Sequence, residues 1–321
     1  MMSTIATTSQ PATNSALKRL ICSHPIMAYF VIAFAGTWAF LLPFALSRNE
    51  YGLGILPFAL PDIAFIVAFL FAAPAGPALA SLIVTAITSG KAGMKHLLRR
   101  CVQWRVGIGW YLIAIYGFLL IWLVGYSIFY GVNLPLALLV KWPLMFTVFF
   151  PQVVFVILTA SFAEELGWRG FALPRLQQRY GPVLGTLILG TLHGLWHLPV
   201  FFTRLLGPFS LPYYAGFLFV AIASTFLYTW IFNHTKGSIL LATLTHGCSD
   251  ASGSLLVLLI PLHLVITGWA QPFVYSSWQA INVIIFGTSA ILLLIFTRGR
   301  LGYNPERNAQ IVEIPRLQEA I

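Results

Sequence analysis

Eight apolar stretches, at about residues 26–47, 63–88, 108–130, 144–166, 183–203, 213–233, 238–260 and 279–297, leave this chain few ways to fold. Each approaches the roughly 20 residues that a helix needs to cross a bilayer. Lipid offers backbone N–H and C=O groups no partners, so such stretches span as helices that satisfy their own hydrogen bonds. The expected fold is all-α: a polytopic membrane protein of about eight transmembrane helices with short interfacial helices, occupying residues 21–300. Composition agrees, because only 8% of residues are charged and the mean hydropathy is +0.87, whereas soluble domains carry about 25% charge. The second stretch is irregular, since Pro57, Pro61, Pro74 and Pro77 allow a kinked or re-entrant entry around Asp62.

Fifteen of the eighteen Lys and Arg residues fall in loops on one side if the N-terminus is inside, leaving Arg48, Lys141 and Arg204 opposite. That bias predicts a multi-pass protein of the cell membrane with both termini cytoplasmic. Residues 1–20 are expected to be a disordered cytoplasmic tail, without the apolar region and cleavage site of a signal peptide, and 301–321 a mobile cytoplasmic C-terminal tail. The net charge of +10 is spread between apolar runs rather than along one face, which points to topology and anionic lipid and against nucleic acid. Residues 93–105 alternate basic and apolar side chains at helical spacing, as a short helix on the inner surface would. A second interfacial piece is expected over 171–180, ended by Gly181 and Pro182. Cys22, Cys101 and Cys248 lie far apart, with no disulfide framework or thiolate metal spacing.

Against this apolar background, Glu164, Glu165 and Arg169 stand at the end of the fourth stretch. An ionised side chain deep in hydrocarbon costs about 3 kcal/mol on insertion scales, so adjacent glutamates need partners or a chemical task. In a continuing helix Glu165 and Arg169 sit one turn apart, while Glu164 points about 100° away and stays free for another partner. Helix five carries His193 and His197, and helix seven His246 and Asp250, each pair spaced to share a helical face. A lone membrane histidine can serve simply as interhelical hydrogen-bond glue, and His193 fits that role. Acid, base and donor groups converging from three helices make a site. Counting about 1.5 Å per residue puts His246 roughly 12 Å into its helix and His197 roughly 20 Å into its own, with Glu164 near an inner end. Those depths agree if the fourth helix continues past Arg169, so that Glu164 lies deeper, or if the fifth begins nearer Thr186.

These residues resemble the CAAX prenyl protease and bacteriocin-processing family, also called Abi, of intramembrane endopeptidases. Its patterns read EExxxR, FxxxH and HxxxN or HxxxD, and here stand Glu164, Glu165 and Arg169, then His197, then His246 and Asp250. The resemblance covers about residues 144–258, within a protease core of about 144–260. It implies that Glu164, helped by His197, activates water, with His246 and residue 250 on the developing oxyanion. It also implies a peptide or protein substrate, cut near a C-terminus or leader and in some relatives lipidated or membrane-tethered, and no metal cofactor. Two departures stand out: His193 occupies the usual aromatic position, and Asp250 replaces the commoner Asn. Asp250 would act either as a protonated donor or as a carboxylate orienting His246.

Rival readings remain. His193, His197 and His246 with a carboxylate could form a tetrahedral zinc site with a water position, although the helical HExxH signature is absent from the sequence. A proton-coupled transporter also uses buried Glu, His and Asp, but no inverted repeat is visible. A catalytically idle membrane scaffold or immunity protein could keep the same fold.

Overall fold

The computed structural model describes residues 16–131, 133–203, 205, 208–259 and 272–312. Among these it is helical, with no strand. Six helices are long and apolar enough to cross a membrane: Pro25–Leu46, Asp62–Cys101, Ile108–Phe129, Met145–Phe202, Leu211–His234 and Gln279–Phe296. The chain is a multi-pass membrane protein. Its outward side chains match lipid rather than water, as with Ile128, Leu158 and Phe296, each 78–80% exposed.

The difference from eight has physical causes. The run Met145–Phe202 holds 58 residues, about 87 Å of helix, far beyond the roughly 30 Å of a bilayer core. It breaks at Gly181, where φ is 77° and ψ is 172°, a conformation open to glycine, so the fourth and fifth apolar stretches are arms of one run. The seventh stretch forms the helix Ile239–Leu259, but Thr243, Thr245, His246, Ser249, Asp250 and Ser252 dilute its apolar character.

In chain order, α1 is Ala16–Ser23, α2 Pro25–Leu46, α3 Asp62–Ala73 and α4 Leu79–Cys101. Pro61 precedes α3 and Asp62 opens its first turn, a favourable end for a carboxylate. Neither Pro74 nor Pro77 has an N–H to donate within an α-helix, and the chain passes them in a π-helical turn, Pro74–Ala78. Then follow α5 (Ile108–Tyr130), α6 (Asn133–Val140), α7 (Phe150–Val156), α8 (Phe162–Gly167), α9 (Leu173–Trp196), α10 (Leu211–His234), α11 (Ile239–Leu259), α12 (Pro272–Phe296) and α13 (Pro305–Val312). Two further π turns, Ile157–Ser161 and Trp168–Ala172, flank the six residues of α8 without breaking the helical run.

The segment after α8 is the centre of the bundle rather than an interfacial piece. Trp168, Phe171, Ala172, Leu173 and Leu176 are buried against Tyr29, Ala33, Ala80, Val84, Leu189, Trp196 and Phe232. Helices in lipid gain little from apolar burial alone, so close approach through small residues matters more. A Cβ on Gly167 would lie 2.6 Å from the Pro77 carbonyl oxygen and 2.6 Å from the Tyr29 hydroxyl. Gly167→Ala is therefore expected to destabilise the protein by about 1–3 kcal/mol or more, because backbone must give way. Gly253→Ala, whose Cβ meets only Trp122 at 3.9 Å among the described residues, should leave the melting temperature nearly unchanged.

The ends differ from the expected tails. Helix α1 begins at Ala16, inside the supposed 1–20 tail. Residues 301–312 are docked rather than mobile: Leu301 is buried, and Asn308 Nδ2 donates to the Pro174 carbonyl at 2.8 Å. Residues 1–15, 313–321 and Arg204 lie outside the described residues.

Candidate active site

The two glutamates of α8 are consecutive, hence about 100° apart around the helix, and each meets a different neighbour. Glu164 turns to α9, its Oε2 lying 3.0 Å from His193 Nε2. Glu165 turns to α11, its Oε1 accepting from His246 Nδ1 at 2.9 Å and from Arg169 Nη1 at 2.8 Å. Glu165 and Arg169 are 0% and 1% exposed, a fully buried ion pair. The Arg169 guanidinium also lies 4.6 Å from the centre of the Tyr228 ring, a cation–π contact that spreads its charge further.

His197 Nδ1 is 3.0 Å from the His193 carbonyl oxygen. A carbonyl only accepts, so Nδ1 carries a proton, and a neutral ring would keep its lone pair on Nε2. Donor atoms of Glu164, His193 and His197 all lie within 4.8 Å of one another. Aromatic rings wall them in: Trp168 stands 5.2 Å from His193, and Trp196 and Phe217 stand 4.7 Å and 5.3 Å from His197. On the other flank Asp250 Oδ2 is 3.7 Å from His246 Nε2 and its side chain is 49% exposed, so this flank is the open one.

Several expectations change in detail. His193, the departure from the aromatic pattern, makes the direct bond to Glu164, while His197 stands behind it on the His193 backbone. The group close enough to share a metal is Glu164, His193 and His197, without His246, so the all-histidine zinc set does not assemble among the described residues. Zinc accepts imidazole nitrogen and carboxylate oxygen with one position left for water, and the donors present fit that chemistry. The short contact that orients His246 comes from Glu165 rather than Asp250, whose oxygen lies beyond hydrogen-bond length.

One residue that the loop-charge reading treated as topology belongs to the framework here. Arg100, 4% exposed, donates from Nη2 to the Arg169 carbonyl at 3.1 Å, from Nη1 to Gly170 at 2.8 Å and from Nε to Gly237 at 2.9 Å. It ties the turn after the glutamates to the turn before α11. No spacing rule marks it, because its partners are carbonyls far along the chain.

Residues 146–252 match the family model described as type II CAAX prenyl endopeptidase Rce1-like. CAAX prenyl protease 2 of Methanococcus maripaludis is 30% identical over 128 residues, which are 38% of this chain and 47% of that protein, so the match spans about half the relative's length. The matched segment runs from the start of the helical run that carries Glu164 to the middle of α11, taking in every element that converges on the site. By that correspondence residues 146–252 of the chain are similar to the Rce1-like type II CAAX prenyl endopeptidases.

Proposed function

We propose that the chain is an intramembrane endopeptidase that hydrolyses a peptide bond near the C-terminus of a prenylated or membrane-tethered peptide or protein. The observation that carries this reading is the Glu164, His193 and His197 group, with donor atoms within 4.8 Å of one another inside an apolar bundle. Peptide hydrolysis within a membrane needs a proton acceptor for water, donors for the oxyanion and polar shelter for both. Glu164 holds one oxygen against His193 and offers the other to water, whose second hydrogen the Nε2 lone pair of His197 accepts. His246, as an imidazolium, donates from Nδ1 to Glu165 and from Nε2 toward the oxyanion; Asp250, if protonated, adds a second donor at the open side. Glu165 and Arg169 are positioning residues in this scheme, since Glu165 holds His246. We infer also that both termini are cytoplasmic in the cell membrane, a reading supported by the bias of basic residues.

Glu164, His193 and His197 would also be the residues to hold a zinc ion, whose chemistry is to polarise and deprotonate a bound water. Without metal, chelator-dialysed protein keeps its activity and its metal content stays well under one per chain. His193→Phe then loses about ten- to hundredfold, the value of one hydrogen bond to a charged group. Stoichiometric zinc, lost together with activity in His193→Phe, would assign the metal role instead. Comparative proteomics of membranes carrying wild type or Glu164→Ala tests the broader function: a membrane-associated substrate should persist uncut only in the variant.

A further inference from the structure

At the end of the bundle where α4, the α10–α11 turn and α13 meet, a cavity of about 420 Å³ is lined by Arg100, Arg105, Lys236 and Arg307, with His96 and Gln103 among its walls. No carboxylate is among the described residues lining it. Part of this wall is fixed in place. Arg100 is held by three carbonyls, Gln103 Nε2 donates to the Lys236 carbonyl at 3.1 Å, and Arg307 Nη1 to the Asn233 carbonyl at 3.4 Å. Lys236 adopts φ +57°, in a turn where glycine would sit with less strain. A cation thus stands where an uncharged residue would fold more readily. His96 Nε2 is buried without a hydrogen-bond partner among the described residues, so a donor is free to meet an oxygen of an entering anion. Like charges gathered around a cavity repel one another unless an anion enters.

The surroundings indicate depth in the membrane. Val102, Trp104 and Ile108, 62–75% exposed, flank the cavity in the α4–α5 loop and at the start of α5. Trp110, in the first turn of α5, meets Trp230 of α10 edge-on, with ring centres 5.0 Å apart. Tryptophans gather at the headgroup level of a bilayer, where their amphipathic rings are at home. We propose that this cavity binds a phosphate-bearing anion, and that its source is the headgroup of an anionic membrane lipid, with the chain's apolar flank receiving the acyl part.

The test is thermal unfolding of the full chain in a neutral detergent, titrated in parallel with phosphatidylglycerol, phosphatidylcholine and inorganic phosphate. Saturable stabilisation by phosphatidylglycerol is expected, with none from phosphatidylcholine. The midpoint should weaken about thirtyfold in Arg105→Gln/Lys236→Gln, at about fivefold per basic residue, and stay put in Lys91→Gln/Lys95→Gln, which removes the same charge from nearby surface outside the cavity. If the double variant does not fold, Lys236→Gln alone carries the comparison with a shift of about fivefold. An equal response to phosphatidylcholine, or equal weakening by the control variant, overturns the site. Saturation by millimolar phosphate that displaces the lipid overturns the lipid source.

Discussion

Replacing Glu164 with Gln is expected to slow peptide hydrolysis by about 10²–10⁴-fold, the range for losing a positioned general base, while the bundle stays folded. The amide has the shape of the carboxylate and can still bond His193, now 3.0 Å from Glu164 Oε2, so packing changes little. What the amide cannot do is take a proton from water. Glu164 is 5% exposed, and removing a buried charge relieves desolvation even as one charge-assisted bond weakens, so melting should move by only a few degrees. Substrate loss in membranes and thermal unfolding of purified protein check the two halves separately. Wild-type cleavage by a folded Glu164→Gln protein would end the proposed mechanism.

The second large effect concerns the pair behind it. Arg169→Met leaves Glu165 buried with only His246 to accept from, and is expected to destabilise by about 3–5 kcal/mol, the cost of stranding one member of a buried pair. Glu165→Gln should do the same from the other side, more so because Arg169 Nε and Nη2 already lack partners among the described residues. The double variant Glu165→Gln/Arg169→Met removes both members of the ion pair, leaves His246 an amide oxygen to donate to, and should recover part of that stability. Its activity should stay low, because the short contact of 2.9 Å that orients His246 is weakened. Melting temperatures and rates for the four proteins check this; destabilisation in the double variant equal to the sum of the singles would show the pair to be uncoupled.

Much of this site could be read from spacing alone. Glu165 and Arg169, four apart, pair as helical geometry requires, and their neighbour Glu164 faces elsewhere. Helix identity followed from apolar length for the same reason: lipid permits little else. What the spacing hid was continuity. The π turns on either side of α8 widen the helix, and Gly170 inside the second reads as a break, so the run 162–180 reads as two pieces in sequence and is one continuous helical run in the structure, buried from Glu164 to Pro174. That continuity sets Glu164 at the depth of His193. Which of the two α9 histidines meets Glu164 also depended on helix rotation, beyond the reach of a pattern that places both on one face. Arg100 and the docked α13 were hidden for a different reason, since their bonds run to backbone carbonyls that every residue offers.

The central claim is hydrolysis by this chain, and one measurement meets it directly. Purified wild type and Glu164→Gln, reconstituted in lipid, are given a prenylated C-terminal peptide in water enriched in heavy oxygen, and the products are weighed by mass spectrometry. The account predicts cleavage at a single bond by wild type, one heavy oxygen in the newly formed carboxylate, and at least about a hundredfold less product per unit time from Glu164→Gln. Equal product from both proteins, or none from a folded wild type across a panel of prenylated and unmodified membrane peptides, would contradict it.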